Sequence, residues 1–473
     1  MVRQSISPSV HKFAPGPRGY PVIGCLPQML RDPLEFITNA AHEYGEVVHL
    51  GAMGSRQFYL VVNPDAVKYI LQENNRNYIK GDNFKAIELI IGNGLAVKEG
   101  DAWRGQRRLM QPAFHRQRVA ALVTDMTKII AEELETWHTI DPGTPLDVSA
   151  QMMRLTQRIL VKSLLSIDDG DEASDLLQAW NAVYTYLSNQ LWAVFRLPVE
   201  VPTPGNRQFH KAMRTLDQVA YRVIREHRQS SNPPNDLLLM LMDADDKESG
   251  ERMSDKQLRD EIMTIFTGGF ETSAGVLAWT WYLLSKHPIM ERQLQSELAD
   301  VLAERTPTFE DLPKLKYTRM VIEETMRLYP GAWGFTRTNL NADEIGGYHI
   351  PAQSLVLISP YVTHRLQTLW ENPESFDPDR FAPERAAGRP RYAYIPFGSG
   401  ARQCIGDIFA MTEMQLVVAM VAQRYRLQLV SGHPVEKEAR FTLRARHGIL
   451  MTLKPQSASG DTDTLATQKG LST

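Results

Sequence analysis

The stretch 397-FGSGARQCIG-406 constrains this chain most strongly, because it surrounds a single cysteine with three glycines and an arginine. A structural cysteine packs into any apolar gap and needs no such loop. Glycine opens backbone conformations that other residues avoid, and it lets a flat partner approach the main chain. A lone thiolate is also a good axial ligand for a redox metal. The pattern therefore predicts a ligand loop around Cys404, with a buried cysteine beside a glycine-rich turn as the alternative.

The residues near Cys404 suit a negatively charged sulfur. Backbone N–H groups and the N-terminus of a helix that begins at Cys404 would stabilise a thiolate. Arg402 can reach an anionic group beside the ligand, and Phe397 can shield the sulfur from water. The other cysteine, Cys25, lies in 20-YPVIGCLP-27 without such surroundings, so it is predicted to be structural.

The composition excludes several classes of protein. A formal net charge of −3 argues against a nucleic-acid binder, for which a basic excess is expected. Two cysteines, neither in a CxxC pair, exclude a disulfide framework and a zinc ribbon and predict a reducing, cytoplasmic location. No apolar run is long enough for a signal peptide or a transmembrane anchor. Residues 15–455 are expected to form one domain between a flexible N-terminus, 1–14, and a polar, disordered tail, 456–473.

The spacing of apolar residues predicts a mainly α fold with a small β-rich portion. Gly45 is expected to close a first helix over 33–45, and Ser254 to cap the helix that follows it. Segment 371–396 is expected to be irregular. Further helices are predicted over 116–138, 149–166, 172–192, 208–230, 256–285, 288–303, 316–329 and 405–424. Strands are predicted at 46–50, 57–62, 425–430 and 441–453 and within 334–359.

Two adjacent glycines interrupt the middle of one predicted helix, in 268-GGFETSAG-275. Each glycine costs about 1 kcal/mol relative to alanine there, so the pair predicts a local distortion with room for a ligand or water. An acid and an alcohol, Glu271 and Thr272, follow at once. A capping or packing role is the alternative for these two side chains.

Two further pairs share a helix face because their members are three or four residues apart. Glu324 and Arg327 can form an ion pair, and Trp103 and Arg107 can present an aromatic ring and a cation together. Arginine is permanently charged and binds a carboxylate through two hydrogen bonds. Taken alone, each pair is weak, since exposed ion pairs contribute little and a single arginine is more often a surface charge.

Together these motifs resemble those of the haem-thiolate monooxygenases, the cytochrome P-450 superfamily. The haem-binding signature of that family is Phe-x-x-Gly-x-Arg-x-Cys-x-Gly. Phe397, Gly400, Arg402, Cys404 and Gly406 fill its defined positions. The resemblance covers about residues 15–455 and implies the family's triangular, mostly helical fold.

The resemblance also assigns roles to the central helix. Gly268 and Gly269 fit the family's Ala/Gly-Gly-x-Asp/Glu-Thr-Thr/Ser motif, in which the kink accommodates dioxygen. Glu271 and Thr272 would then relay protons to the reaction centre. These two residues are the predicted catalytic side chains.

The arginines take two roles by the same resemblance. Glu324 and Arg327 match the family's Glu-x-x-Arg, which would form a structural cluster with Arg380 of 376-FDPDRF-381. The haem propionates would be held by a second set of residues, namely Trp103, Arg107, Arg337 and Arg402.

The implied cofactors are haem b, bound through Cys404, and dioxygen as a co-substrate. NAD(P)H would act only indirectly, because two cysteines cannot hold an iron–sulfur cluster and no flavin domain is apparent. A separate ferredoxin or flavodoxin and its reductase would supply electrons to a monomeric enzyme. The acidic carrier is predicted to dock at basic residues on the ligand side, namely Arg104, Arg107, Arg108, Arg116 and Arg118.

By alignment with the family, the substrate pocket is predicted to be apolar. It would hold a hydrophobic molecule, a terpenoid, a steroid-like compound or a fatty acid, for hydroxylation or epoxidation. No basic residue among the candidates is an evident carboxylate anchor, which disfavours tight binding of a fatty acid. The candidates are Phe84, Ile87, Ile90, Ile91, Ala96, Phe266, Thr267, Gly331, Ala332, Trp333, Phe441 and Thr442.

Two other functions could use the same scaffold. A peroxygenase or isomerase would use a peroxide in place of dioxygen and electrons. A haem-thiolate sensor or carrier would bind a gas or a lipid without turnover. The pairing of Glu271 with Thr272 favours activation of dioxygen, because neither rival needs a proton relay.

Overall fold

The computed structural model describes residues 12–20, 23–53, 56–141, 143–191, 197–245, 250 and 252–456. Within these ranges the chain is mainly helical with a small β-rich portion, as predicted. Residues 1–11 of the predicted flexible N-terminus and 457–473 of the predicted tail lie outside them. No helix in the described ranges is long and apolar enough to cross a membrane.

The helices form most of the fold, and their apolar faces meet in one large core. They are α1 (Leu26–Arg31), α2 (Pro33–Tyr44), α3 (Pro64–Lys68), α4 (Lys85–Ile91), α5 (Gly100–Met110), α6 (Arg116–Trp137), α7 (Val148–Leu165), α8 (Asp171–Leu191), α9 (Pro204–Gln229), α10 (Leu237–Met242), α11 (Asp255–Gly269), α12 (Glu271–Lys286), α13 (Pro288–Leu302), α14 (Lys316–Leu328), α15 (Pro360–Thr363), α16 (Pro383–Ala386) and α17 (Asp407–Arg424). Short 3₁₀ or π turns lie at Tyr69–Glu73, Asn75–Asn77, Gly81–Phe84, Gln111–Phe114, Pro378–Phe381, Arg391–Ala393 and Gly400–Arg402.

The strands form small, separate sheets. They are β1 (Val47–Met53), β2 (Arg56–Val61), β3 (Tyr78–Ile79), β4 (Leu146–Asp147), β5 (Phe335–Asn339), β6 (Asp343–Ile345), β7 (Tyr348–Ile350), β8 (Leu355–Ile358), β9 (Tyr425–Leu429), β10 (Lys437–Ala439), β11 (Leu443–Ala445) and β12 (Leu450–Pro455). The largest sheet has the order β1-β2-β8-β5-β3, and a second has the order β4-β12-β9. The strands β6 and β7 pair with each other, as do β10 and β11.

The largest sheet is apolar on both faces, because alternate side chains of a strand point to opposite sides. In β2, Tyr59 and Val61 belong to one apolar cluster, whereas Phe58 and Leu60 belong to another. The second cluster packs against Leu34 and Ile37 of α2. The sheet is therefore a buried layer beside the helical core.

Local sequence explains where several helices begin. Ser254 accepts a hydrogen bond from the Gln257 N–H, and the Gln257 side chain bonds back to the Ser254 backbone. This reciprocal capping confirms the predicted start of α11. Asp32 and Asp147 cap α2 and α7 without the return bond, since each side chain accepts from backbone N–H groups of the first turn.

The long helix predicted over 256–285 is interrupted at the two glycines. The helix α11 ends at Gly269, Phe270 takes φ −126° and ψ −43°, and α12 begins at Glu271. The predicted distortion is therefore present. It divides one helical axis into two segments whose junction carries the acid and the alcohol.

One predicted boundary is wrong by three residues. The helix that follows the cysteine begins at Asp407 and not at Cys404. Gly400–Arg402 form a 3₁₀ turn, and Gln403 has extended backbone angles, so the cysteine lies in the loop ahead of the helix. Short elements such as α4 and α10 escaped prediction, because one or two turns carry little periodic signal.

Candidate functional site

A cavity of about 1170 Å³ lies inside the fold, and Cys404 forms part of its wall. Other parts of the wall come from α11 and α12 through Gly268 and Thr272, and from α1 through Leu26 and Met29. A pocket for one small molecule typically encloses about 300–1,000 Å³. The cavity can therefore hold more than one small molecule.

The Cys404 thiol is accessible from this cavity. Its backbone N–H donates to the Phe397 carbonyl oxygen over 2.9 Å, which closes the loop. Burial among protein atoms raises the pKa of the Cys404 thiol, while the Gly406 backbone N–H and the Arg107 charge act in the opposite direction. The loop therefore supplies the donor, and α5 supplies the cation, that a thiolate needs, although burial opposes ionisation.

Two of the three loop glycines adopt conformations that favour glycine. Gly398 and Gly400 have φ of 67° and 69°. A Cβ at Gly400 would also overlap the Leu71 carbonyl oxygen. Gly406 differs from the prediction, because its φ of −95° is ordinary for any residue. A Cβ there would meet nothing within 4 Å, so Gly406 leaves open space beside the cysteine.

The junction between α11 and α12 presents a hydroxyl to the cavity. Thr272 lines the cavity, and its Oγ1 donates to the Gly268 carbonyl oxygen over 3.0 Å. A Cβ added to Gly268 would meet nothing within 4 Å, whereas one on Gly269 would lie 3.0 Å from Leu160. The first glycine therefore provides space in the cavity, and the second allows close packing of the end of α11 on Leu160 of α7.

Glu271 lies behind this wall and does not line the cavity. Its side chain is buried, and its Oε1 accepts a hydrogen bond of 2.8 Å from the Thr442 hydroxyl. Burial raises the pKa of Glu271, while Tyr184 and Thr442 partly offset the effect. A carboxyl in this state can hold a proton closer to neutral pH than an exposed one.

Three cationic side chains of the cavity wall, Lys80, Arg337 and Arg402, form what we name the cation cluster. Arg402 pairs with Glu99, whose other oxygen accepts the Lys80 backbone N–H over 2.8 Å. The Arg337 guanidinium donates to the neighbouring Thr336 carbonyl. Burial lowers the pKa of Lys80 to about 7 and that of Arg337 to about 10, and mutual repulsion adds to both shifts.

The cation cluster is short of negative charge, which fits a dianionic ligand. Glu99 is the carboxylate whose charge acts on the pKa of all three side chains, so the cluster with Lys80 protonated carries three positive charges against one negative charge. The two propionates of a haem would balance the remaining charge. Lys80 was not predicted, because no sequence motif places residue 80 beside the arginines of β5 and the cysteine loop.

Trp103 and Arg107 lie close to the cation cluster but do not line the cavity. The Arg402 guanidinium stacks on the Trp103 ring at 4.0 Å from its centre. Arg107 donates to the Gln403 carbonyl oxygen over 2.8 Å, next to Cys404. The contacts of Arg107 thus support the cysteine loop and do not reach the cavity wall.

The Glu-x-x-Arg pair forms a fully buried network. Glu324 and Arg327 are both 0% exposed and share two hydrogen bonds of 2.7 and 2.8 Å. Arg380 donates to Glu324 over 3.3 Å. Arg327 also donates to the carbonyl oxygens of His364, Pro373 and Ser375. These bonds fasten the irregular segment before the cysteine loop to α14.

Seven of the predicted pocket residues line the cavity, namely Phe84, Ile87, Gly331, Ala332, Trp333, Phe441 and Thr442. The prediction is wrong for the other five, Ile90, Ile91, Ala96, Phe266 and Thr267, which do not line it. For Phe266 and Thr267 the physical reason is helix geometry, since α11 contributes Thr264, Ile265, Gly268 and Gly269 to the wall and residues 266 and 267 fall on the other side of the helix. Phe266 points the other way and packs against Trp180.

Sequence reasoning missed several residues of the wall. Cys25, predicted to be structural, is buried and lines the cavity as the residue before α1. Its apolar neighbours in the sequence gave no sign of this, because a cavity and a solid core select the same residue types. Other unpredicted wall residues are Leu26, Met29, Met110, Phe114, Leu160, Leu237, Ser273 and Val276.

A thiol that faces a large buried cavity, beside a broken helix and an unbalanced cation cluster, defines a haem-thiolate protein. A family model described as Cytochrome P450 matches residues 14–456. The chain therefore belongs to the cytochrome P450 family, as the sequence motifs indicated.

Curated relatives support the same assignment over nearly the whole length. Cyclooctatin synthase from Streptomyces melanosporofaciens is 38% identical over 92% of this chain and 94% of the relative. Cyclooctat-9-en-7-ol 5-monooxygenase from the same organism is 36% identical over 88% and 90%. Pentalenene oxygenase from Streptomyces avermitilis is 33% identical over 92% and 96%. The protein is thus an oxidoreductase of the monooxygenase type that uses haem, dioxygen, a redox partner and a hydrophobic substrate.

The fold agrees with solved structures of the family. The crystal structure of a cytochrome P450DA heme domain matches with a TM-score of 0.86 and 25% identity, covering 95% of this chain and 99% of that one. The predicted P-450 fold is confirmed.

Proposed function

We propose that this monooxygenase hydroxylates or epoxidises a neutral, polycyclic, terpenoid-like molecule. The observation that carries the proposal is the charge of the cavity wall. No aspartate or glutamate occurs among the described lining residues. Three of its four cationic residues form the cation cluster, and the fourth, Arg440, pairs with Glu438. No cation is left to anchor a fatty-acid carboxylate.

The names of the relatives support the same substrate class. Two of them act on cyclooctat-9-en-7-ol and pentalenene, an alkene alcohol and an alkene by name. Neither compound carries a charge. A neutral hydrocarbon skeleton also suits the apolar wall, which includes Phe84, Ile87, Val276, Ala332 and Phe441.

We infer that the cofactor is haem b, bound by Cys404, with its propionates at the cation cluster. Gly268 and Gly406 line the cavity, and a Cβ on either would meet nothing within 4 Å, which suits the approach of a flat ring system. When bound, haem supplies the activation of dioxygen and the insertion of one oxygen atom. Cys404 contributes electron density through its sulfur, and Phe397 covers the loop.

Thr272 and Glu271 are proposed to move protons. The Thr272 hydroxyl lies in the cavity wall, and Glu271 is buried directly before it at the start of α12. Glu271 can donate a proton toward the cavity through the Thr272 hydroxyl and then take up another. The apolar wall excludes bulk water, so protons must come by way of such side chains.

Electrons are proposed to come from a separate ferredoxin or flavodoxin and its reductase. Arg104, Arg116 and Arg118 are exposed, which suits an acidic carrier. Arg107 is occupied by the cysteine loop, so we leave it out of the docking surface. A monomeric state and a cytoplasmic location stay predictions from sequence.

A spectroscopic titration tests the substrate class. We expect a neutral polycyclic alkene alcohol to induce the spin-state shift of the Soret band at roughly tenfold lower concentration than a straight-chain fatty acid of equal carbon number. Ile87→Ala, which alters the wall, should change the midpoint for the polycyclic compound. Ile90→Ala, on the same helix but away from the cavity, should leave it unchanged.

Tighter binding of the fatty acid would contradict the proposed substrate class. Cys404→Ser provides the control for the ligand. It should abolish the red-shifted Soret band of the reduced carbon monoxide complex, and retention of that band would contradict the assignment of Cys404.

A further inference from the structure

Glu271 has an acceptor oxygen that nothing in the described part of the chain uses. Its Oε1 is bonded to Thr442, but its Oε2 is buried and has no hydrogen-bond partner there. An unsatisfied buried polar atom costs about 1–3 kcal/mol. Such an atom beside a proton relay indicates a position that a proton donor or a water molecule occupies during function.

A second unsatisfied group lies next to it, on α8. The Tyr184 hydroxyl is buried and makes no hydrogen bond of ordinary geometry among the described residues, although it lies close enough to Glu271 to lower the pKa of that carboxyl. Its ring packs edge-on against Phe441 at 6.2 Å, next to the Thr442 that bonds Glu271. Burial raises the pKa of Tyr184, and the charge of Glu271 raises it further, so the two side chains are neighbours.

A third buried polar group without a partner among the described residues, the Ser188 hydroxyl, follows Glu271 and Tyr184 toward the protein surface. Ser188 lies one turn after Tyr184 on α8, and its Oγ is also buried without a partner in the described ranges. Residues four apart stand on the same helix face. The residue is partly exposed as a whole, so this end of the line approaches the protein surface. We name Tyr184 and Ser188 the α8 hydroxyl pair.

The other groups around Glu271 do not offer a comparable route. Thr442 already donates to Oε1, and the Arg444 guanidinium, which lowers the pKa of Glu271, is bonded to Glu438. Arginine does not give up its proton in proteins. Tyrosine and serine hydroxyls can both donate and accept, as a relay requires.

We propose that Tyr184 is a positioning residue that connects Glu271 to Ser188 and so supplies protons from the α8 side of the protein. This inference rests on the proposed function, in which Glu271 and Thr272 deliver protons to the cavity. In each transfer Glu271 takes the Tyr184 hydroxyl proton as Tyr184 takes one from Ser188, and Ser188 takes one in turn from solvent at the protein surface. No tyrosinate forms, no electrons move, and one proton enters for each one delivered.

The holoenzyme variant Tyr184→Phe tests the inference. We expect the product formed per NADPH consumed to fall roughly tenfold, less than the 10²–10⁴ typical of a lost general acid. The solvent deuterium isotope effect on turnover should rise. Tyr186→Phe is the matched control, because Tyr186 lies on the same helix as Tyr184 but its hydroxyl donates to Asn206 of α9 and takes no part in the relay.

A readout independent of turnover comes from infrared spectroscopy. The protonated-carboxyl band of Glu271 is identified by its absence in Glu271→Gln. Because the Tyr184 hydroxyl lowers the pKa of Glu271, its removal should shift the pH midpoint of this band upward. A merely structural tyrosine would leave the midpoint in place. Ser188→Ala should raise the isotope effect without moving the midpoint as far.

Each alternative result has a distinct meaning. Tyr184→Phe and Tyr186→Phe could form equal amounts of product per NADPH while Glu271→Gln forms much less. That result overturns the α8 route and leaves the proposed function intact. If Glu271→Gln forms as much product per NADPH as the wild type, the proposed relay and the α8 route are both overturned. If Tyr184→Phe does not fold, an unchanged isotope effect in Ser188→Ala overturns the route.

Discussion

Two buried glutamates on adjacent helices differ in how far their oxygens are hydrogen-bonded. Glu324 of α14 accepts two bonds from Arg327, one from Arg380 and one from the Asp377 N–H. Glu271 of α12 accepts one bond, from Thr442, and its second oxygen has no partner in the described ranges. A saturated carboxylate between two arginines is suited to holding a charge, whereas one with a free acceptor is suited to exchanging a proton.

Breaking the saturated network should have the largest effect. Glu324→Gln leaves the Arg327 guanidinium buried without its counter-charge, so we expect a loss of about 3–5 kcal/mol in the free energy of unfolding. Chemical denaturation and haem content after purification measure this loss. Glu323→Gln is the matched control, because Glu323 pairs with the exposed Arg319 and should cost less than about 1 kcal/mol. Equal losses in both variants would contradict the network's role.

The second prediction concerns the carboxylate with the free acceptor. Glu271→Gln should change the free energy of unfolding by less than about 1 kcal/mol, because a single hydrogen bond is at stake. Its turnover should fall about 10²-fold, since the relay loses its acid. Steady-state product formation and denaturation of the same preparation measure both quantities. A stability loss as large as that of Glu324→Gln would remove the contrast between the two sites.

A third buried carboxyl sharpens the comparison. Glu413 of α17 is fully buried, and neither of its oxygens has a hydrogen-bond partner in the described part of the chain. Burial raises the pKa of Glu413 to about 8, against a small opposing effect of Ser273. It is therefore protonated at neutral pH in the folded state, whereas an unfolded glutamate ionises at about 4.3.

The sign of the pH dependence follows from this difference. Between about pH 4.3 and pH 8 the folded state keeps a proton that the unfolded state releases, so wild-type stability falls as the pH rises. Glu413→Gln cannot ionise. As the pH rises through that window, we expect the free energy of unfolding of the variant to increase relative to that of the wild type by up to about 1.4 kcal/mol per pH unit. Denaturation midpoints at several pH values measure the gain, and a constant difference would contradict the protonated state.

The sequence predicted the site residues correctly where a short segment contains all the residue types that a function requires. The glycine-rich loop of Cys404 and the Gly–Gly–Phe–Glu–Thr junction could each be predicted from the sequence, because each is built from one short segment. The same holds for the start of α11, where the Ser254–Gln257 cap is local.

Prediction from the sequence failed for features that are built from several distant segments. Lys80, Arg337 and Arg402 come from distant parts of the chain, so their cluster depends on packing that no short pattern encodes. The pocket residues Phe266 and Thr267 were misplaced for a related reason. Adjacent helical residues differ by about 100° in direction, and the sequence does not state which face borders the cavity.

The amino-acid sequence by itself determined which sulfur can bind iron, which helix is interrupted and which acid and alcohol are adjacent. Residues that are neighbours in the sequence stay neighbours in any fold. Only the tertiary structure decided that both carboxyl oxygens of Glu324 accept hydrogen bonds, whereas one oxygen of Glu271 has no partner among the described residues. That choice depends on Arg380 and Asp377 reaching Glu324 across about fifty residues, and on Tyr184, which precedes Glu271 in the sequence, and Thr442, which follows it, both approaching that carboxyl. Contacts of such long range form only when the hydrophobic core brings the segments together.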